Sequence, residues 1–102
     1  MNAADQPGGS LSGHHILMVE DETTLALLVE DMLQELGADV VGQAANPDAA
    51  IEVLSRTQPT LALLDVNLSG QKVYPVVEHL LRRGIPFIFL TGYGRDGIDP
   101  EW

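Results

Sequence analysis

The sequence predicts an α/β fold with a doubly wound parallel sheet, built by a single domain in a chain of 102 residues. Short apolar runs recur along the chain without alternation of apolar and polar residues, which is typical of strands buried on both faces of a sheet. Stretches with the apolar spacing of amphipathic helices lie between these runs. Strands that alternate with helices in this way form parallel sheets, whose right-handed crossovers place helices on both faces.

The N-terminal segment, residues 1–13, is polar, rich in Gly and Ser and without periodicity. These properties predict a flexible tail, so we expect the domain to occupy residues 14–102. The first strand is predicted at residues 16–19, and Glu20 and Asp21 follow it directly. Because an ionised carboxylate is costly to bury alone, such acids are expected at the solvent-exposed end of a strand or beside a cation.

The most regular apolar spacing in the chain predicts a first helix that begins at about Leu25 and ends before Gly37, which fits a left-handed C-cap. Its inward face is expected to consist of apolar residues in an i, i+3, i+4, i+7 series: Leu25, Leu28, Val29, Met32, Leu33 and Leu36. A short second strand is predicted at residues 39–42, which completes a first β-α-β unit.

The middle of the chain predicts a second helix and a third strand. Asn46 and Pro47 provide an N-cap and a preset first helical turn. The helix that follows is expected to bury three apolar residues: Ala50, Ile51 and Leu54. The third strand is predicted at residues 60–64 and leads straight into Asp65, so a second apolar strand ends in an acid.

The last third of the chain predicts a third helix and a fourth strand. Residues 75–83 have helical spacing and stop at Gly84. The inward side chains of this helix are expected to be Val76, Val77, Leu80 and Leu81. The fourth strand is predicted at residues 86–91, before the turn-forming residues 92–94. In the common strand order 2-1-3-4, the first and third strands are neighbours.

The composition limits the partners and the compartment. There are 15 acidic and 5 basic residues, with a net charge of -10, so the protein repels phosphate backbones and anionic lipid. We therefore expect neither nucleic acid nor a membrane as a partner. The chain has no cysteine, no signal peptide pattern and no apolar run of membrane-spanning length, which predicts a cytoplasmic protein.

The acids at the strand ends predict a metal site. Ligands of open parallel sheets bind beyond the carboxyl ends of the strands, so Glu20, Asp21 and Asp65 are expected to converge there. Like charges raise each other's pKa unless a cation neutralises them, and hard oxygen ligands favour Mg²⁺. The backbone carbonyl of Asn67, two residues after Asp65, is expected to be a further ligand.

Three stretches together resemble the receiver domain of two-component response regulators: Ile16 to Glu22, Leu63 to Asn67, and Leu90 to Gly92. The resemblance covers most of residues 14–94 and implies a flavodoxin-like receiver fold. Residues 86–94 are similar to a subgroup of single-domain receivers whose fourth strand reads Pro-Phe-x-Phe-Ala-Thr-Gly-Tyr.

The resemblance also implies a function. Asp65 is the expected phosphoacceptor, Glu20 and Asp21 are the metal carboxylates, and the Thr91 hydroxyl contacts the phosphoryl group. The implied partners are a histidine kinase or phosphotransfer protein as donor and a downstream protein as target, with Mg²⁺ as cofactor. Because positioning and electrostatics suffice for the transfer, the protein is expected to be a phosphoacceptor and not an enzyme.

The sequence departs from the family pattern at three places. Most receivers have Asp where Glu20 stands, and they use a lysine at the end of a fifth strand, whereas the only lysine here is Lys72. The chain stops at Trp102, so the fifth strand is expected to be absent and the domain incomplete at its C-terminus. The fourth strand is then an unpaired edge, which predicts a homodimer through that edge.

Two alternative functions remain open at this point. A phosphorylation-independent, receiver-like interaction module fits the missing lysine and the incomplete sheet. An aspartyl-phosphate phosphatase fits less well, because such enzymes need a second Asp two residues after the nucleophile, where this chain has Asn67.

Overall fold

The structure is a computed structural model that describes residues 10–68 and 70–90. In chain order its elements are β1 (His15–Val19), α1 (Thr23–Glu35), β2 (Asp39–Ala44), α2 (Pro47–Leu54), β3 (Leu61–Asp65), β4 (Asn67–Leu68), β5 (Gln71–Lys72), α3 (Tyr74–Arg82) and β6 (Phe87–Leu90). The described helices include none that is long and apolar enough to cross a membrane.

The main sheet has four parallel strands in the order β2-β1-β3-β6. This arrangement confirms the predicted order 2-1-3-4, with β6 as the fourth strand of the sheet. β1 lies between β2 and β3, and Val19 at its end pairs with Ala44 on one side and Leu64 on the other. The carboxyl ends of the two central strands therefore meet at the same edge of the sheet.

Two further strands, β4 and β5, were not predicted. They form an antiparallel hairpin between β3 and α3, in which Asn67 pairs with Lys72 and Leu68 pairs with Gln71. The fifth strand in chain order is thus present, but it belongs to this hairpin. The predicted absence of a fifth strand in the parallel sheet concerns residues 91–102, which lie outside the described residues.

The two faces of the sheet carry different amounts of covering structure. The face under α2 and α3 holds the larger core, in which Leu17, Leu64 and Leu80 are fully buried. The opposite face lies under α1 and has a smaller core around Ile16 and Leu33. Strand residues alternate between these two cores, as the side-chain period of two requires.

The inward face predicted for α1 is wrong for most of its members. Leu33 is buried and Val29 is half-buried, and Ala26, which was not predicted, is 5% exposed. The other predicted members are 41% to 57% exposed: Leu25, Leu28, Met32 and Leu36. The apolar face of α1 is wider than its contact with the sheet, so one flank of that face remains outside the core.

The predictions for the other two helices are mostly confirmed. Ala50 and Leu54 of α2 are buried, whereas Ile51 is half-buried. Val76, Val77 and Leu80 of α3 are buried, but the prediction that Leu81 points inward is wrong, since it is 56% exposed. Leu81 lies at the edge of the apolar face of α3, outside the strip that contacts the sheet.

The pairing of β1 with β2 contains a bulge. Ile16 pairs with Val40, but the next residue, Leu17, pairs with Gly42, so Val41 is the extra residue on β2. A Cβ atom added at Gly42 would collide with Cγ1 of Val53. Glycine therefore allows α2 to pack directly on this strand.

The residues before β1 form a turn that packs on the domain. The Leu11 N–H donates to the Leu36 carbonyl at 2.9 Å, and the Leu11 side chain lies against the core under α1. The predicted tail covered residues 1–13, of which residues 1–9 lie outside the described part of the chain.

Candidate metal and phosphoacceptor site

The candidate site lies where the two central strands end. Glu20 follows β1 directly, and its N–H donates to the Ala44 carbonyl of β2 at 2.9 Å, which fixes the chain as it leaves the sheet. Asp65 is the last residue of β3 and pairs in register with Leu90 of β6. The sheet topology thus determines which two acidic strand ends are neighbours.

Three of the predicted site residues come together at this edge. Glu20, Asp21 and Asp65 each place a carboxylate oxygen within 4.8 Å of the other two. Glu20 is 7% exposed, whereas Asp21 and Asp65 are half-buried. The cluster is therefore closed on the Glu20 side and reachable from solvent on the Asp side.

The environment of Glu20 favours its protonated form. Burial raises the pKa of this carboxyl from 4.5 to about 7, and hydrogen bonding to Asp65 and the negative charge of Asp65 act in the same direction. A hydrogen bond of 2.9 Å from the Glu22 N–H to Glu20 Oε1 lowers the pKa but does not offset the burial. A buried acid beside two others is the electrostatic setting that a bound cation would relieve.

Glu22 has a role that the sequence reasoning missed. Its side chain is the N-cap of α1, where Oε1 accepts from the Thr24 N–H at 3.0 Å. The same residue donates its own N–H to Glu20. Glu22 thereby fixes the loop that carries the two acids, and its position just before a helical apolar series was the available signal.

The donor set fits a small, hard cation. Carboxylate oxygens from three residues lie close enough to share one ion, and Mg²⁺ uses one or two protein carboxylates together with water. Asn67 begins β4 two residues after Asp65, so its backbone is at the same end of the sheet. The role of its carbonyl as a ligand stays a prediction.

Two further predictions concern residues near the cluster. Thr91, the predicted phosphoryl contact, lies outside the described residues. Lys72 is exposed in β5 and pairs with Asn67, so the hairpin brings the only lysine of the sequence to the segment that follows Asp65.

A cleft of about 220 Å³ opens beside the acids, between the start of α1 and the end of β2. Its walls include Glu20, Asp21, Thr23, Gln43 and Ala44. This cleft gives solvent and small solutes access to the β2 side of the carboxylate cluster.

Comparison with known proteins agrees with this geometry. The family model of the response regulator receiver domain matches residues 16–98. The phyllosphere-induced regulator PhyR of Methylorubrum extorquens is 33% identical over 95 residues, which cover 87% of this chain and 36% of PhyR. This chain therefore spans about a third of that relative's length.

The fold matches solved structures over most of the chain. The solution structure of SdrG from Sphingomonas melonis Fr1 has a TM-score of 0.79 at 39% identity, covering 87% of this chain and 76% of SdrG. The BeF3-activated conformation of SdrG from Pseudomonas melonis Fr1 has a TM-score of 0.73, covering 85% of this chain and 75% of that one. With the family match, the sheet order and the acids at the ends of β1 and β3, the chain belongs to the response regulator receiver domain family of two-component signalling.

Proposed function

We propose that the protein takes a phosphoryl group from a histidine kinase or phosphotransfer protein onto Asp65 and signals by contact with a downstream protein. The observation that carries this proposal is the position of Asp65. It ends a central strand of a receiver sheet, and its carboxylate lies within 4.8 Å of two further acids.

Each residue of the site would have its own role in phosphoryl transfer. An Asp65 oxygen attacks the phosphorus of a phosphohistidine, so a P–O bond forms while the P–N bond breaks and the histidine is released. Glu20 and Asp21 would hold Mg²⁺ beside Asp65, and Thr91 would donate its hydroxyl to a phosphoryl oxygen. When bound, Mg²⁺ neutralises charge on the phosphoryl oxygens.

This role needs no catalytic turnover by the protein itself. Asp65 receives and stores the group, and the transfer requires no general base. We infer that the protein is a cytoplasmic phosphoprotein and not an enzyme. The proposal is supported by the existence of a BeF3-activated conformation of SdrG, a similar protein.

The experiment is phosphorylation with acetyl phosphate and Mg²⁺, followed by intact-mass measurement. We expect one added phosphoryl group on the native protein and none on Asp65→Asn. Asp48→Asn is the matched control, because Asp48 is an exposed Asp in the first turn of α2. Thr91→Ala should still be labelled. Label that survives in Asp65→Asn would show that Asp65 is not the acceptor.

The alternative is a receiver-like interaction module that works without phosphorylation. The observation that favours it is that Lys72, the only lysine of the sequence, is exposed on the hairpin and not on a strand of the parallel sheet. The two functions differ in one measurement: the module would take up neither a phosphoryl group nor a beryllofluoride adduct in the presence of Mg²⁺.

A further inference from the structure

We propose that Tyr74, the first residue of α3, is a positioning residue for the phosphoacceptor. Its ring holds Phe89 of β6, and β6 in turn fixes the backbone of Asp65 at the end of β3. The inference rests on the proposed role of Asp65. It adds to that site a residue that acts through a neighbouring strand and not on the phosphoryl group itself.

The backbone of Asp65 is in register with β6 but not with β1. In the described part of the sheet, the pairing of β1 with β3 ends where Val19 lies opposite Leu64. The pairing of β3 with β6 continues one residue further, to Leu90 opposite Asp65. The position of the acceptor relative to the two acids after β1 therefore depends on where β6 lies.

The chain that leaves Asp65 returns to the same place at Tyr74. At the base of the β4–β5 hairpin, the Val73 N–H donates to the Val66 carbonyl at 3.2 Å. Val66 directly follows Asp65, Val73 directly precedes Tyr74, and both valines are buried. Tyr74 therefore begins α3 beside the end of the acceptor strand, although the hairpin separates the two residues in sequence.

α3 is a firm support for the Tyr74 ring. Pro75 presets the first turn of the helix. Three further residues of α3 are fully buried in the larger core: Val76, Val77 and Leu80. The half-buried Tyr74 side chain packs against the same core. A side chain on a well-packed helix is placed more precisely than one on a loop, so Tyr74 is suited to holding another element in position.

The Tyr74 ring meets the Phe89 ring edge to face. Their ring centroids are 6.5 Å apart and their planes are inclined at 89°, a favoured geometry for aromatic pairs. Phe87 contacts Phe89 in turn, with ring centroids 5.6 Å apart. Phe89 is the register partner of Leu64, the residue before Asp65. The ring contact therefore holds β6 in place at the level of the acceptor.

The test measures the rate at which acetyl phosphate and Mg²⁺ label Asp65, followed by intact mass. Tyr74→Leu keeps an apolar side chain but removes the ring. It should slow labelling roughly tenfold, because misplacing a reacting atom by about 1 Å costs up to about a hundredfold in rate. Tyr74→Phe keeps the ring and should be labelled at the native rate.

Val53→Ala is the control for lost stability. Val53 is buried in the same core, but it belongs to α2 and lies beside Gly42 of β2, away from β6. This variant should be less stable than the native protein and still be labelled at the native rate. Urea denaturation compares the stability of the variants and shows that each is folded under the labelling conditions.

A double-mutant cycle tests whether Tyr74 acts through Phe89. Phe89→Leu should slow labelling by about the same factor as Tyr74→Leu, and the double variant should be no slower than either single variant. If the two factors multiplied in the double variant, the residues would act independently and the proposal would be overturned.

Three further results would also overturn it: a native rate in Tyr74→Leu, slow labelling of Tyr74→Phe, or slow labelling of Val53→Ala. The first would show that the ring does not position the acceptor, the second would assign the effect to the hydroxyl, and the third would attribute it to lost stability. Absence of label on the native protein is a separate result, because it would refute the phosphoacceptor role of Asp65 and this inference with it.

Discussion

At the scale of single residues, Glu20 links the site to the stability of the fold. Its folded pKa of about 7 lies above the ordinary value of 4.5, so the folded state holds the proton more tightly than the unfolded state. Glu20 therefore favours folding most below about pH 4.5, and this contribution is lost as the pH rises through about 7. At higher pH the metal-free protein contains an ionised, buried carboxylate.

The metal-free Glu20→Gln variant should have a flatter dependence of stability on pH. Relative to the native protein, we expect it to gain up to roughly 3 kcal/mol between about pH 4.5 and pH 8. Urea denaturation with a chelator present measures this difference. Glu78→Gln, which changes an exposed acid on α3, is the control and should keep the native dependence of stability on pH. If the stability of Glu20→Gln depended on pH as steeply as that of the native protein, the pKa of Glu20 would not be raised by folding.

The two acids after β1 should contribute unequally to Mg²⁺ binding. Asp21 is half-buried and reachable, whereas Glu20 is longer, buried and partly protonated at neutral pH. We expect Asp21→Asn to weaken Mg²⁺ binding more than Glu20→Gln, and native affinity to rise with pH as Glu20 loses its proton. Calorimetric titration measures both effects. Native Mg²⁺ affinity in both variants would show that neither acid is a metal ligand.

At the scale of secondary structure, the contact between β2 and α2 depends on Gly42. A Cβ atom there collides with Val53, which is buried and branched at Cβ and so has little freedom to move. Gly42→Ala should destabilise the protein by roughly 1–3 kcal/mol. In a Val53→Ala background the same change should cost less. A double-mutant cycle by urea denaturation measures the coupling, and an additive result would exclude this collision as the cause.

Elements with a local sequence signal were predicted well. Asn46 is the N-cap of α2, where its side chain accepts from the Ala49 N–H at 2.8 Å, and Pro47 opens the helix as expected. The strands β1 and β3 were predicted correctly because each is a short apolar run that ends in an acid, a pattern typical of strands buried on both faces. Capping residues and buried apolar runs depend on residues that are close in sequence, so the sequence alone is enough to predict these elements.

Elements that depend on distant contacts were missed. The hairpin strands β4 and β5 have two residues each, too few for a periodic pattern, although Gly70 with φ of 84° marks the turn. The apolar spacing of α1 gave the width of its apolar face but not which part contacts the sheet. The convergence of Glu20 with Asp65 was predictable because parallel topology alone brings those strand ends together.

At the scale of the whole molecule, net charge opposes the pairing of two copies through β6. Within the described residues β6 is the last strand of the sheet, and the unpaired side of such a strand can pair with another chain. The ring centroids of Phe87 and Phe89 are 5.6 Å apart, and the ring centroid of Tyr74 in α3 lies 6.5 Å from that of Phe89. These ring contacts hold β6 against the α3 side of the sheet. A net charge of -10 on each copy should keep two such edges apart at low ionic strength.

We therefore expect self-association through β6 to depend on salt. At about 0.01 M salt the screening length is about 30 Å and the protein should be a monomer, whereas at about 1 M it is about 3 Å and a dimer should form. Sedimentation at both ionic strengths measures this change. Ile88→Lys places a charge on the edge strand and should remain monomeric at high salt, but Leu81→Lys, an equally exposed position on α3, should still dimerise. A dimer that Ile88→Lys leaves intact would assign the interface to another surface, and a monomer at high salt would show that the β6 edge does not pair.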